Sequence, residues 1–199
     1  MAERLLEVKD LRAGFATPEG FVRAVDGVSF EIRRGEVLGL VGESGCGKSV
    51  TALTLLRLLP RPPAVIEGGQ ALFHGRDLLT MPTEELRTIR GGKIGMIFQE
   101  PMTALSPLHR IGDQLAETAR LHRRLSAAEA WALGLEWLKR VGLPDAAQRM
   151  KDYPHQLSGG MRQRVMLAMT MLPEPELIIA DEPTTALDVT IQDQIFDLL

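Results

Sequence analysis

Cysteine is nearly missing from these 199 residues. Cys46 stands alone, which excludes an intrachain disulfide and an all-cysteine metal cage and points to a reducing compartment such as the cytosol. An excess of positive charge is missing too: 23 Lys and Arg face 26 Asp and Glu, a formal net charge of -3. There is then no global basic field of the kind that holds a protein on nucleic acid, and any anion must be caught locally. Long apolar runs are absent as well. The longest candidate, 165–172, is broken by Thr170 and falls far short of the ~18 residues a membrane span needs. At the N-terminus Glu3, Arg4, Glu7 and Lys9 interrupt what a cleaved leader would keep apolar, so none is expected. Internal repeats and low-complexity tracts are not seen. With 45% hydrophobic residues the chain can bury a real core, and disorder is excluded.

Residues 5–11 and 28–32 alternate apolar with polar side chains, with Pro18, Gly20 and Gly27 between them, and predict two half-buried strands of an antiparallel edge layer. The apolar runs 37–41 and 177–180 do not alternate, which predicts parallel strands covered on both faces; 94–98 is a weaker third. Helical periodicity dominates from about 111 to 171. There Ser126 and Glu129 are spaced as a capping box, and Gly142 with Pro144 closes the same helix. The expected organisation is a core built from 1–99 and 172–199, with a helical lobe, 100–171, inserted into it.

Gly42, Glu43, Ser44, Gly45, Cys46, Gly47, Lys48 and Ser49 satisfy GxxxxGK[ST] between an expected strand and a leucine-rich helix, the context of a phosphate-binding loop. Glycines let backbone N–H groups turn inward around phosphate oxygens, and the following helix offers the positive end of its dipole. Lys48 is expected to reach the β- and γ-phosphates, and Ser49 to ligate Mg2+; Val50 is expected to bind the cofactor with them. Further on, the run 177–180 delivers Asp181 and Glu182 at a strand end, where open α/β sheets place their ligands. Asp181 suits the metal shell. Glu182 suits a general base that polarises the attacking water. The fold class expected is α/β: a P-loop NTPase core with a parallel sheet, an antiparallel β edge layer and an inserted helical lobe.

Leu157, Ser158, Gly159, Gly160, Met161, Arg162 and Gln163 then open a helix, with Ser158 as N-cap and two glycines exposing backbone amides, a second phosphate-facing surface. In this order along the chain, these motifs resemble the ATP-binding subunit of ABC transporters, whose signature is LSGGQ; Met161 departs from it. The resemblance covers nearly the whole chain. It implies that Gln99 is the family's Q-loop glutamine, contacting Mg2+ and the γ-phosphate region, and that Thr185 to Asp188 form the loop crossing the dimer interface. It implies that Phe15 stacks on adenine, with Phe21 the rival, and that Ser158, Gly159, Gly160 and Asp188 serve a nucleotide shared between two subunits.

The stretches 100–107, 153–156 and 183–190 look like the oligopeptide and dipeptide importer branch. What this implies is ATP and Mg2+ as cofactors, a second ATP-binding subunit, transmembrane permease subunits, indirectly a solute-binding protein, and a peripheral place on the cytoplasmic face of the cell membrane. A different class, a soluble ABC-type ATPase in DNA repair or translation, would need a long coiled coil or a second cassette. The family also places a histidine after the loop ending at Asp188, and none follows here, so a C-terminally truncated chain is expected. His74, His109, His122 and His155 show no paired metal-ligand spacing. Met161, Met166, Met169 and Met171 are expected on a core face, Arg120, Arg123 and Arg124 on a solvated one, and at most one of Trp131 and Trp137 in the core.

Overall fold

The computed structural model describes residues 3–98 and 105–181. The chain divides into two compact units, Met1–Arg87 and Thr88–Leu199, each of which is taken by itself.

In the first unit β1 (Arg4–Thr17) and β2 (Gly20–Arg33) form a long antiparallel hairpin, its turn closed by the Thr17 hydroxyl donating to the Gly20 carbonyl at 2.8 Å. With β3 (Ala64–Phe73) and β4 (Arg76–Asp77) they make one sheet in the order β2-β1-β3-β4. The expected edge layer is present, and its strands outrun the predicted ones. Gly27 lies inside β2 and not in a turn: its φ of 74° makes a bulge there, compensating one at Asp10, φ 45°, in β1. The helix α1 (Lys48–Leu55) follows the phosphate loop and buries Thr51, Thr54 and Leu55. It ends at Leu55, and Arg57 already turns left-handed at φ 51°.

Residues 37–41 correct the sequence reading. They form no strand, and Val37 and Val41 are 95% and 90% exposed. An apolar run becomes a strand only where a neighbour accepts and donates the ladder hydrogen bonds, and among the described residues no strand pairs with this one.

A short helix, α2 (Thr83–Ile89), spans the boundary between the units. In the second unit β5 (Ile94–Ile97) and β6 (Leu177–Ala180) pair in parallel, Ile94 opposite Leu177 and Ile97 opposite Ala180. Around them stand α3 (Ile111–Arg123), α4 (Ala127–Arg140), α5 (Ala146–Arg149), a single 3-10 turn at Pro154–Gln156, and α6 (Gly159–Met171). The capping box is formed as the spacing predicts: Ser126 N–H donates to Glu129 Oε2 at 2.9 Å and the Ser126 hydroxyl accepts from Glu129 N–H. Ile111, Leu115, Leu138, Met150, Val165 and Leu172 fill one core. Met166 and Met171 join it, and Met161 and Met169 pack half-buried against it. Trp137 is buried; Trp131 lies half-buried with its ring over the Cα of Gly112, where a Cβ would fall 2.5 Å from the indole.

Candidate functional site

The loop 42–47 is shaped by two left-handed glycines, Gly45 at φ 81° and Gly47 at φ 94°. Gly47 is the residue that caps α1. A Cβ there would lie 2.2 Å from the Ala24 carbonyl oxygen and 3.8 Å from Val25 Cγ2, so the loop backbone rests directly on β2. Only glycine meets both demands. Ala24 is thus part of the cradle, though it belongs to no motif; the glycine requirement at 47 is its only trace in the sequence.

Lys48 folds back over the loop. Its ammonium donates to the carbonyls of Gly42 and Glu43, both at 2.8 Å, and approaches Cys46 Sγ at 3.6 Å. The Cys46 amide donates to the Glu43 carbonyl at 3.3 Å, and the thiol is exposed. Ser49 and Val50 sit half-buried in the first turn of α1, and Thr51 is anchored by its hydroxyl to the Gly47 carbonyl at 2.9 Å. An ammonium, a left-handed glycine pair and a helix start with no acidic residue in its first turn make a donor set suited to a polyanion.

Phe15 and Phe21 are separated by register. Ala13 pairs with Val25, the residue that faces Gly47, and Phe15, two residues on, shares that face of the sheet. Phe21 lies over the Cα of Gly14 on the other face. Of the two aromatic rings, Phe15 is on the side of the phosphate loop.

In the second unit β6 ends at Ala180, and Asp181 N–H donates to the Ile97 carbonyl at 3.0 Å, so Asp181 stands beside the end of β5. Gln99, Glu182, Thr185 and Asp188 lie outside the described residues. Ser158 is the N-cap of α6, as the sequence predicts, its hydroxyl accepting from Met161 N–H at 3.4 Å. Gly159 and Gly160 have open space where side chains would stand. The phosphate loop and Phe15 belong to the first unit; Asp181 and the signature belong to the second. Among the described residues no group of three or more His, Cys, Asp or Glu stands close enough to hold a metal ion.

A loop of this shape opening a helix in an α/β chain defines the class of P-loop nucleotide-binding proteins. Residues 25–185 match the ABC transporter family, and the chain belongs to that family. It is 54% identical over 198 residues to the probable peptide ABC transporter ATP-binding protein y4tR of Sinorhizobium fredii, covering 100% of this chain and 59% of that one. Identity is 55% to the oligopeptide transport ATP-binding protein OppD of Salmonella typhimurium (100% and 58%) and 51% to the dipeptide transport ATP-binding protein DppD of Bacillus subtilis (98% and 58%). The chain thus spans under two thirds of the length of these relatives. Among solved structures, the dimeric post-hydrolysis state of the ATP-binding cassette MJ0796, bound to ADP and phosphate, is similar with a TM-score of 0.85 at 28% identity. It covers 98% of this chain and 81% of that one. The fold is accordingly the α/β P-loop NTPase fold of such cassettes.

Proposed function

We propose that this chain is the ATP-binding and ATP-hydrolysing part of an ABC importer, coupling hydrolysis to the uptake of oligopeptides or dipeptides across the cytoplasmic membrane. The observation that carries the reading is the Lys48-closed loop seated on Ala24, in a chain that also presents a serine-capped Gly-Gly helix start. The relatives named for peptide transport support the substrate class, and none of these names supports a role in DNA repair or translation.

In this reading residues 42–50 cradle the phosphates of ATP, Phe15 stacks on the base, and Lys48 exchanges its carbonyl partners for the β- and γ-phosphate oxygens. Ser49 and Asp181, with Gln99, would hold Mg2+, which when bound neutralises phosphate charge. Glu182 takes a proton from the attacking water. Ser158, Gly159, Gly160 and Asp188 serve the nucleotide of a second ATP-binding subunit, so that neither half-site is complete alone. The core, 1–99 with 172–199, then binds and hydrolyses, while the lobe, 100–171, and the Gln99 loop pass the movement to permease subunits loaded by a solute-binding protein. No helix among the described residues is long and apolar enough to cross a membrane, which suits a peripheral subunit on the cytoplasmic face.

Glu182→Gln in the full-length protein is the test. It is expected to keep nucleotide binding and to lower steady-state ATPase by on the order of 100-fold or more, leaving an ATP-bound dimer. Turnover near the wild-type rate overturns the assignment.

A further inference from the structure

The start of α6 is poorly stiffened by its own residues. Its first two helical positions are both glycine, each about 1 kcal/mol less favourable there than alanine, and the Ser158 cap bond is long at 3.4 Å. The chain that leads in is nevertheless firmly placed. Tyr153 N–H donates to Gln156 Oε1 at 2.8 Å, across the turn Pro154–Gln156, and Leu157 is buried. The joint between this segment and the helix is spanned by Arg162. Its Nε donates to the Pro154 carbonyl at 2.8 Å and to the Leu157 carbonyl at 3.0 Å. One half-buried side chain, one turn up the helix, therefore grips the backbone on the near side of Ser158.

We propose that Arg162 is a positioning residue for the signature: it fixes where the Ser158 hydroxyl and the Gly159 and Gly160 amides point, and so prepares them for the nucleotide phosphates held by a second ATP-binding subunit. The inference rests on the composite site of the proposed function. Arginine is suited to the task because a planar guanidinium on a partly immobilised stem loses little freedom per hydrogen bond. Both bonds leave the one Nε–H, a bifurcated donor held in the guanidinium plane, whereas lysine would bring a charge to the same carbonyls from a freely rotating ammonium. Two glycines at a helix start can follow the phosphate only if something outside them sets their direction, and a small misplacement of such groups is costly.

The experiment uses the full-length protein carrying Glu182→Gln, so that an ATP-bound dimer accumulates, with Arg162→Met and Arg162→Lys added singly. Amide hydrogen exchange is followed over 157–161, MgATP affinity is measured on the monomer, and ATP-driven dimerisation is followed by light scattering. Arg162→Met is expected to speed exchange at 158–161 and to weaken dimerisation, each by on the order of tenfold or more. Monomer affinity for MgATP and the thermal midpoint are expected to stay near those of the parent, because the phosphate loop is not touched. Arg162→Lys is expected to recover part of both losses. A merely structural role would lower the thermal midpoint and nucleotide affinity together and is one overturning result. Unchanged exchange and unchanged dimerisation in Arg162→Met is the other. A Glu182→Gln parent that binds MgATP and does not dimerise overturns the composite site itself, and with it the role given to Arg162.

Discussion

Gly47 joins a backbone angle to a close approach. Its φ of 94° and the 2.2 Å that would separate an added Cβ from the Ala24 oxygen act at the same atom. Gly47→Ala is therefore expected to destabilise the chain by at least about 1–3 kcal/mol from backbone strain, with a further loss as the loop lifts off β2. Urea unfolding measures the first, and nucleotide titration the second, which is expected to fall even under conditions where the chain stays folded. Cys46 offers a gentler probe. The thiol is exposed, 3.6 Å from the Lys48 ammonium, so alkylation is expected to block nucleotide binding and MgATP to protect the thiol. Mass spectrometry of labelling with and without MgATP checks it, and equal rates would place the thiol away from the nucleotide. At this scale the sequence was highly legible: the spacing of Gly42, Gly47, Lys48 and Ser49 names the loop, because the chemistry needs those residues. Ala24 was not legible, since a carbonyl that seats a glycine can belong to any residue type.

Helix ends were legible for a related reason: caps are local. Ser126 with Glu129 and Ser158 with Met161 form as their spacing predicts. Ser126→Ala is expected to cost about 1 kcal/mol, read as a lower thermal midpoint. The Ser126 hydroxyl, and after it the Ser126 amide, hold the Glu129 carboxyl below its ordinary value of 4.5. A carboxylate lowered in the fold adds stability that is present above pH 4.5 and is lost as pH falls through the lower folded value. The gap in midpoint between wild type and Ser126→Ala is therefore expected to close on acidification below that range, which thermal melts across the acid range will show. Strands were legible only in part. Alternation found β1 and β2 but not their length, since the Asp10 and Gly27 bulges interrupt the period where the chain continues. The run 37–41 misled because strand formation is decided by a partner far away in sequence, which no local pattern contains. Arg164 makes the same point for helices: its Nη1 reaches the Gly142 carbonyl at 2.6 Å and so closes α4 from α6, a bond no spacing rule announces.

At the scale of the whole chain, each of the two units, Met1–Arg87 and Thr88–Leu199, has buried apolar side chains of its own. Leu6, Leu11, Leu56 and Leu78 are fully buried within Met1–Arg87, and Ile111, Leu115, Leu138 and Leu172 within Thr88–Leu199. The helical stretch from 111 to 171 was foreseen because its periodicity is strong and its pairings are close in sequence. The parallel strands 94–98 and 177–180 were foreseen too, from unbroken apolar runs, and they pair as β5 with β6; that these two are neighbours was not legible, because the pairing joins residues more than eighty positions apart. The placing of Trp131 over Gly112 and of Trp137 in the core then has an optical consequence. Both indoles and the lone tyrosine, Tyr153, belong to the second unit, while the phosphate loop belongs to the first. Intrinsic emission is thus a report from one half of the molecule. In a denaturant titration the fluorescence curve is expected to part from the far-ultraviolet circular dichroism curve, which sums over both units. Saturating nucleotide is expected to shift the dichroism curve further than the fluorescence one. Coincident curves under both conditions would mean that the two units melt as one.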